Sequence, residues 1–330
     1  AATHRSAGIQ TSPRSRNRHD RPRRRILDAG VDSTAMIIEL QSQGKPPDLV
    51  LFADTGSEYH ETYAYIPLFH QWLDDHHIPF DIVRYAPTRL NGKPGYNTLL
   101  EDLLASKTLP AIAFGQHSCS LKWKIAPQTR AIERWQPAQQ AWAASDKVTR
   151  LIGYDASPRD LRRYGQSLRH DDPRFQNRFP LIEWGWGRDR CAERIRTAGL
   201  PLPRKSSCYF CTACKAEDID TLPADHLRLI MLIEAAAAPR LKTTEGLWRK
   251  STKGKRGPAR PGRITDYILD NALLDPVEAD DVRQRLLPEL ERQLDPASRT
   301  HANMTAWLRT HFPNRQGDTS CQSASTTALL

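Results

Sequence analysis

One stretch constrains the fold of this chain more than any other. The small-residue turn Ala29-Gly30-Val31-Asp32-Ser33-Thr34 runs straight into the apolar helical run Ala35-Met36-Ile37-Ile38-Glu39-Leu40, and Leu49-Val50-Leu51-Phe52-Ala53 follows. A short, continuous apolar run is the pattern of a strand buried on both faces. Turn, helix and buried strand in succession predict a parallel sheet with helices on both faces. The turn opens into a helix N-terminus, and its backbone N–H groups form a cradle for an anion such as phosphate. The strand ends in Asp54-Thr55-Gly56-Ser57-Glu58, and ligands of open α/β sheets sit at such carboxyl ends.

The alternation continues. Periodicity predicts helices over 33–43, 61–77, 99–105, 188–198, 225–238 and 277–294, the last with a break at Pro288. Strands are predicted over 49–53, 80–85 and 147–154, with an extended segment over 180–184. The expected organisation is a disordered basic tail over 1–25, then a nucleotide-binding α/β domain over 26–235 that includes a cysteine motif. A basic loop and helical region over 236–313 and a disordered tail over 314–330 complete it. No run of about 18 apolar residues is present, which predicts no membrane span and no membrane partner.

The net charge of +10 is unevenly placed. Residues 1–25 hold eight Arg against one Asp, and 249–263 hold seven Lys or Arg and no acid, so the rest of the chain is net acidic. The second stretch, with Lys250, Lys253, Lys255 and Arg256, is a candidate surface for tRNA or DNA; the alternative is a solvated loop.

Six cysteines are too few and too clustered for a secreted disulfide scaffold of 330 residues. Cys208, Cys211 and Cys214 form a Cys-x-x-Cys-x-x-Cys run, and Cys119, between His117 and Lys122, can join from a distance. Three or four thiolates suit an iron–sulfur cluster, or a structural Zn²⁺ as the alternative, in a reducing, cytoplasmic setting; thiol chemistry is the third option. Lys122, Lys124 and Lys205 would lower thiol pKa values wherever they lie close. Cys191 falls in a predicted helix and reads as a core residue.

In the turn, Gly30, Val31, Asp32, Ser33 and Thr34 offer donors to phosphate oxygens, and Asp32 offers a carboxylate to the Mg²⁺ that accompanies ATP. Asp54 and Glu58 could orient a nucleotide, a metal ion or a substrate, or could cap and solvate the turn. Gly153 closes the 147–154 strand, and Arg159 follows it with a guanidinium suited to phosphate or sulfate oxygens.

Together these motifs resemble the phosphoadenosine phosphosulfate reductase-like family of the PP-loop ATP pyrophosphatase (adenine nucleotide α-hydrolase) superfamily. The family loop Ser-Gly-Gly-x-Asp-Ser aligns with Asp28-Ala29-Gly30-Val31-Asp32-Ser33. The strand end Phe52-Ala53-Asp54-Thr55-Gly56, the Cys119-to-Lys122 segment, the Cys208/Cys211 pair and the Gly153-to-Arg159 stretch are also similar. The resemblance spans about residues 26 to 270 and implies a Rossmann-like sheet binding an adenine nucleotide. It implies an enzyme that adenylates a substrate and transfers sulfur, with a nucleic-acid acceptor and a sulfur-donor protein as partners. Asp32, Arg159 and Cys119 are then its catalytic residues. The alternatives are a sulfonucleotide reductase and a metal-stabilised nucleic-acid-binding protein. Three departures stand out: Asp28 and Ala29 replace the family's Ser and Gly, the strand before the loop is Arg-rich, and no Glu-Cys-Gly-Leu-His-type motif closes the chain.

Overall fold

The computed structural model describes residues 23–27, 30–87, 96–113, 116–169, 171–254, 259–294 and 301–314. Asp28, Ala29, Lys255, Arg256 and both predicted tails lie outside the described residues, apart from 23–25 and 314.

The strands in chain order are β1 (Arg23–Leu27), β2 (Leu49–Asp54), β3 (Phe80–Arg84), the short pair β4 (Ile112–Ala113) and β5 (Gln116–His117), β6 (Val148–Leu151) and β7 (Phe175–Arg178). Five of them form one sheet in the order β3-β2-β1-β6-β7, and every neighbouring pair is parallel. All five residues of β1 run through the centre of the sheet, although only Ile26 and Leu27 read as a strand in the sequence. The β4–β5 pair is a separate antiparallel hairpin.

The helices are α1 (Val31–Ser42), α2 (His60–Asp75), α3 (Leu99–Ser106), α4 (Ala126–Arg134), α5 (Gln136–Ala143), α6 (Pro158–Ser167), α7 (Pro180–Glu183), α8 (Arg188–Thr197), α9 (Ala216–Ile219), α10 (Ala224–Ala237), α11 (Ile264–Asp270), α12 (Pro276–Asp281), α13 (Leu287–Gln293) and α14 (His301–His311). Alternation along β2 shows how they cover the sheet. Val50 and Phe52 pack with Ile37 of α1 and Tyr65, Ile66 and Phe69 of α2. Leu51 and Ala53 point the other way, against Ile132 of α4 and Ala138 and Ala141 of α5. Side chains two apart share a face, so this one apolar strand secures both helical layers.

A larger core lies beside the sheet. It joins α3, Trp123, the Cys208–Cys214 segment and α10 to α11, α13 and α14. Helix α3 enters it through a capping box, in which Thr98 Oγ1 accepts from Glu101 N and Glu101 Oε2 accepts from Thr98 N. Residues 180–184, expected to be extended, instead form α7, with Pro180 at its first turn. The helix expected over 277–294 is α12 and α13 joined by a π-helical segment over Val282–Leu286, and Pro288 sits at the start of α13. Among the described residues no helix is long and apolar enough to cross a membrane.

Candidate functional site

The order of the sheet places a topological switch between β1 and β6. The chain moves outward from β1 to β2 and β3, then returns to the other side of β1. The segments after β1 and β6 therefore diverge at the carboxyl ends, where an open sheet leaves a crevice. Both carry residues singled out in the sequence.

After β1, α1 starts at Val31 behind Gly30, which is extended (φ −100°, ψ 167°), and no side chain caps the helix. Thr34 N donates to Gly30 O; the first-turn N–H groups ahead of it have no partner within the helix. After β6, Gly153 presses against this turn. A Cβ at Gly153 would stand 2.7 Å from Ser33 Oγ and 3.0 Å from Ser33 N and Cα. Gly153 and the first turn of α1, some 120 positions apart in the chain, thus meet at the switch. Ser33 and Thr34 are buried there.

Asp32 stands on the same turn. Arg188, at the start of α8, donates from Nη1 to Asp32 Oδ2 at 2.8 Å. The other oxygen, Oδ1, is buried without a hydrogen-bond partner. Burial raises the Asp32 pKa; Arg188 opposes the shift, and Asp155 and Asp160 add to it. An orphaned carboxylate oxygen among other carboxylates fits a Mg²⁺ ion, which would supply the missing positive charge beside bound phosphates. Because the folded pKa is raised, the stability contribution of Asp32 is fully present below the unfolded value and is lost as pH rises through the folded one. Asp32→Asn is therefore expected to melt at a higher temperature than the parent protein at pH 7, with the difference shrinking toward pH 4 in thermal scans. A lower melting temperature at pH 7 would show that the Arg188 ion pair outweighs desolvation.

Asp54 occupies the predicted strand end, but its carboxylate is spent inside the protein. Gly56 N and Tyr63 Oη donate to Oδ1 at 2.7 and 2.8 Å. Arg84 donates to Oδ2 from Nε at 2.9 Å and lies 2.7 Å away through Nη2. Its work in this structure is to hold the β2–α2 turn, which corrects the expectation that it reaches a nucleotide. Glu58, four residues on, is fully buried against the cysteine segment. Its Oε1 lies 3.3 Å from Lys124 Nζ and accepts from Thr55 Oγ1 at 3.2 Å, and its Oε2 accepts from Ser206 Oγ at 3.3 Å.

The Cys-x-x-Cys-x-x-Cys run folds as two consecutive turns, with Cys211 N donating to Cys208 O and Cys214 N to Cys211 O, each at 3.0 Å. Cys208 and Cys214 are buried; Cys211 and Cys119 are half-buried. A negative charge on Cys211 would be felt by Cys119, Cys208 and Cys214 alike, so the four thiols form one neighbourhood with Cys211 at its centre. Burial is the largest cause in each case: it pushes Cys208 well above the ordinary thiol value, Cys214 up to about 12, and Cys119 upward. Cys208 Sγ lies 3.3 Å from Thr55 Oγ1. The donor set has the chemistry of a thiolate site, but among the described residues no three His, Cys, Asp or Glu side chains converge as metal ligands. The thiols as placed do not fit a cluster or a zinc ion, and no step below runs through one.

The lysines divide. Lys124 lowers the pKa of Cys119 and Cys208, and Lys205 that of Cys214. Lys122 turns away, donating to Asp102 Oδ2 at 2.6 Å and Tyr96 Oη at 3.0 Å beneath the Tyr85, Tyr96 and Trp123 rings. Cys191 is a core residue on α8, as expected. Arg159 is exposed on α6, and the arginine bonded to Asp32 is Arg188, which the sequence reading did not select. No local pattern distinguishes Arg188; the packing of α8 on α1 brings it in. Lys250 and Lys253 are exposed on the basic loop.

No family model matches the chain, and no curated protein matches it. Among solved structures, it is similar to a phosphoadenylyl-sulfate (PAPS) reductase from Candida auris in a phosphate complex. That likeness has 17% identity and a TM-score of 0.33, and covers 55% of this chain and 75% of that one. The chain is also similar to the U34-tRNA thiolase NcsA from Methanococcus maripaludis, described with its 4Fe-4S cluster, at 12% identity and a TM-score of 0.34, over 88% of this chain and 81% of that one.

Proposed function

We propose that this chain is an ATP-dependent enzyme of the PAPS reductase-like, PP-loop type, which adenylates an acceptor and then transfers sulfur to it. The observation that carries the reading is the uncapped first turn of α1 at the switch point, with Gly153 packed on Ser33. Free N–H groups at a helix start favour phosphate, and a glycine where a second backbone closes on the turn keeps that approach open. Gly30, Val31, Ser33 and Thr34 hold the phosphates, and Asp32, with Arg188 behind it, holds Mg²⁺. In the reaction an acceptor oxygen bonds to the α-phosphorus, the bond from that phosphorus to the bridging oxygen breaks, and pyrophosphate leaves. A sulfur nucleophile, supplied by a donor protein, then displaces AMP. The acceptor is a nucleic acid.

Titration calorimetry with ATP and Mg²⁺ tests the first half. The parent protein is expected to bind ATP, and Gly153→Val to bind it at least tenfold more weakly, because its side chain must displace Ser33. Pyrophosphate release on adding an RNA or DNA acceptor tests the second half. Absence of ATP binding by the parent protein would overturn the reading.

A further inference from the structure

The reading above leaves several basic groups unused, and four of them come together away from Asp32. His117 ends the β4–β5 hairpin, and its Nδ1 lies 3.5 Å from Thr212 Oγ1, inside the cysteine run. Its imidazole is held below the ordinary pKa first by burial and then by the charges of Arg163, Arg159 and Arg249. Three guanidinium groups from two distant segments, α6 and the basic loop, thus face one histidine beside the thiols.

These arginines are not absorbed by the fold. Among the described residues, the guanidinium groups of Arg159 and Arg249 make no hydrogen bond or ion pair. Arg163 pairs with Asp160 at 3.1 Å and stacks 4.1 Å from the Tyr154 ring centre. Arg249 is the more telling. It sits at φ +74°, a left-handed conformation that disfavours any residue with a Cβ. It closes a tight turn in which its N–H donates to Gly246 O at 2.9 Å. Neighbouring bonds hold that turn in place: Trp248 Nε1 donates to Cys214 O at 3.0 Å, and Leu247 N to the buried Glu234 Oε1 at 2.7 Å. An unpaired, half-buried arginine on a turn fastened to the cysteine run is aimed by the fold. Asp160 is the one carboxylate bonded to any member of the group.

We propose that His117, Arg159, Arg163 and Arg249 form a second phosphate-binding site, separate from the α1 turn, which holds a phosphodiester of the nucleic-acid acceptor beside Cys119 and Cys211. Guanidinium forks match the paired oxygens of a tetrahedral phosphate, and a backbone phosphate fixed there sets the position of the neighbouring nucleotide. The identity of the acceptor rests on the function proposed above; the binding of phosphate does not.

The test is fluorescence anisotropy of a labelled single-stranded RNA with the full chain at several salt concentrations, with inorganic phosphate as competitor. Arg249→Gly suits the left-handed backbone and so keeps the turn; Arg159→Glu reverses an exposed charge. Each variant is expected to bind RNA at least tenfold more weakly, with a log K against log salt slope shallower by about one. ATP affinity, measured separately by calorimetry, is expected to be unchanged. Phosphate binding that both variants lose, without RNA binding by the parent protein, keeps the site and assigns it to a phosphomonoester. RNA and phosphate binding equal to the parent's in both variants overturns the proposal. Loss of ATP binding in the parent protein alone overturns only the function proposed above.

Discussion

Replacing Glu234 with alanine is expected to lower the free energy of unfolding by about 4 kcal/mol. This carboxylate is buried on α10 and is the anchor of the loop between α10 and α11. It accepts from Leu247 N at 2.7 Å, Ile264 N at 3.0 Å, Thr265 N at 2.8 Å and Thr265 Oγ1 at 2.5 Å. Each bond to a charged acceptor contributes about 1.5–3 kcal/mol, and each buried donor left alone costs about 1–3 kcal/mol. Relaxation of the loop keeps the total below the sum of these terms. Gly246 packs so closely that a Cβ there would stand 2.5 Å from Glu234 Oε1, so water has little room to replace the carboxylate. Urea denaturation measures the loss, and Glu234→Gln, which keeps one acceptor oxygen, is expected to lose about half as much. A loss under about 1 kcal/mol in the alanine variant would show that the loop re-forms its bonds without Glu234.

The second large effect is expected at Lys124. Lys124→Met leaves Glu58, fully buried, without the cation 3.3 Å away, and breaking one side of a buried pair costs about 3–5 kcal/mol. Thr55 and Ser206 still donate to Glu58, which places the expected loss near the lower figure at pH 7. The orphaned carboxyl then has a folded pKa above its unfolded one. Stability is retained below the unfolded value and lost as pH rises through the folded value, so the defect is expected to shrink at pH 5. Adding Glu58→Gln is expected to restore most of the loss at pH 7. Denaturant titrations of the single and double variants at both pH values decide this; a double variant no more stable than the single one would show that Lys124 acts by packing alone. Lys124 also lowers the pKa of Cys119 and Cys208, so Lys124→Met is expected to slow alkylation of Cys119.

Much of the sheet was legible because its signals are local. Apolar residues at 49–53 and the turn at 30–34 predict β2 and the start of α1 within two residues. Helices α4 and α5 were missed because Pro127 and Pro137 read as breakers, whereas each sits in the first turn, where its missing N–H costs nothing. Strand β7 was missed because three of its four residues are exposed on the sheet edge and carry no apolar alternation. The extended reading of 180–184 failed because five residues do not separate a strand from a helical turn.

For the site, the sequence by itself determined the pieces: a turn able to cradle phosphate, a strand ending in Asp54, a glycine after β6 and four cysteines. Tertiary structure alone decided which of them meet. It closed Gly153 onto Ser33, gave Asp32 to Arg188 rather than Arg159, spent Asp54 on Arg84 and Tyr63, and buried Glu58 with Lys124 beside Cys208. The physical reason is one of range. Turn and strand preferences act over a few residues and are written in local order. A charge or a thiol acts on whatever the packed core brings near it, and with 48 basic and 38 acidic residues in one chain, only the packing of α8 on α1 and of the cysteine run against β2 selects the partners.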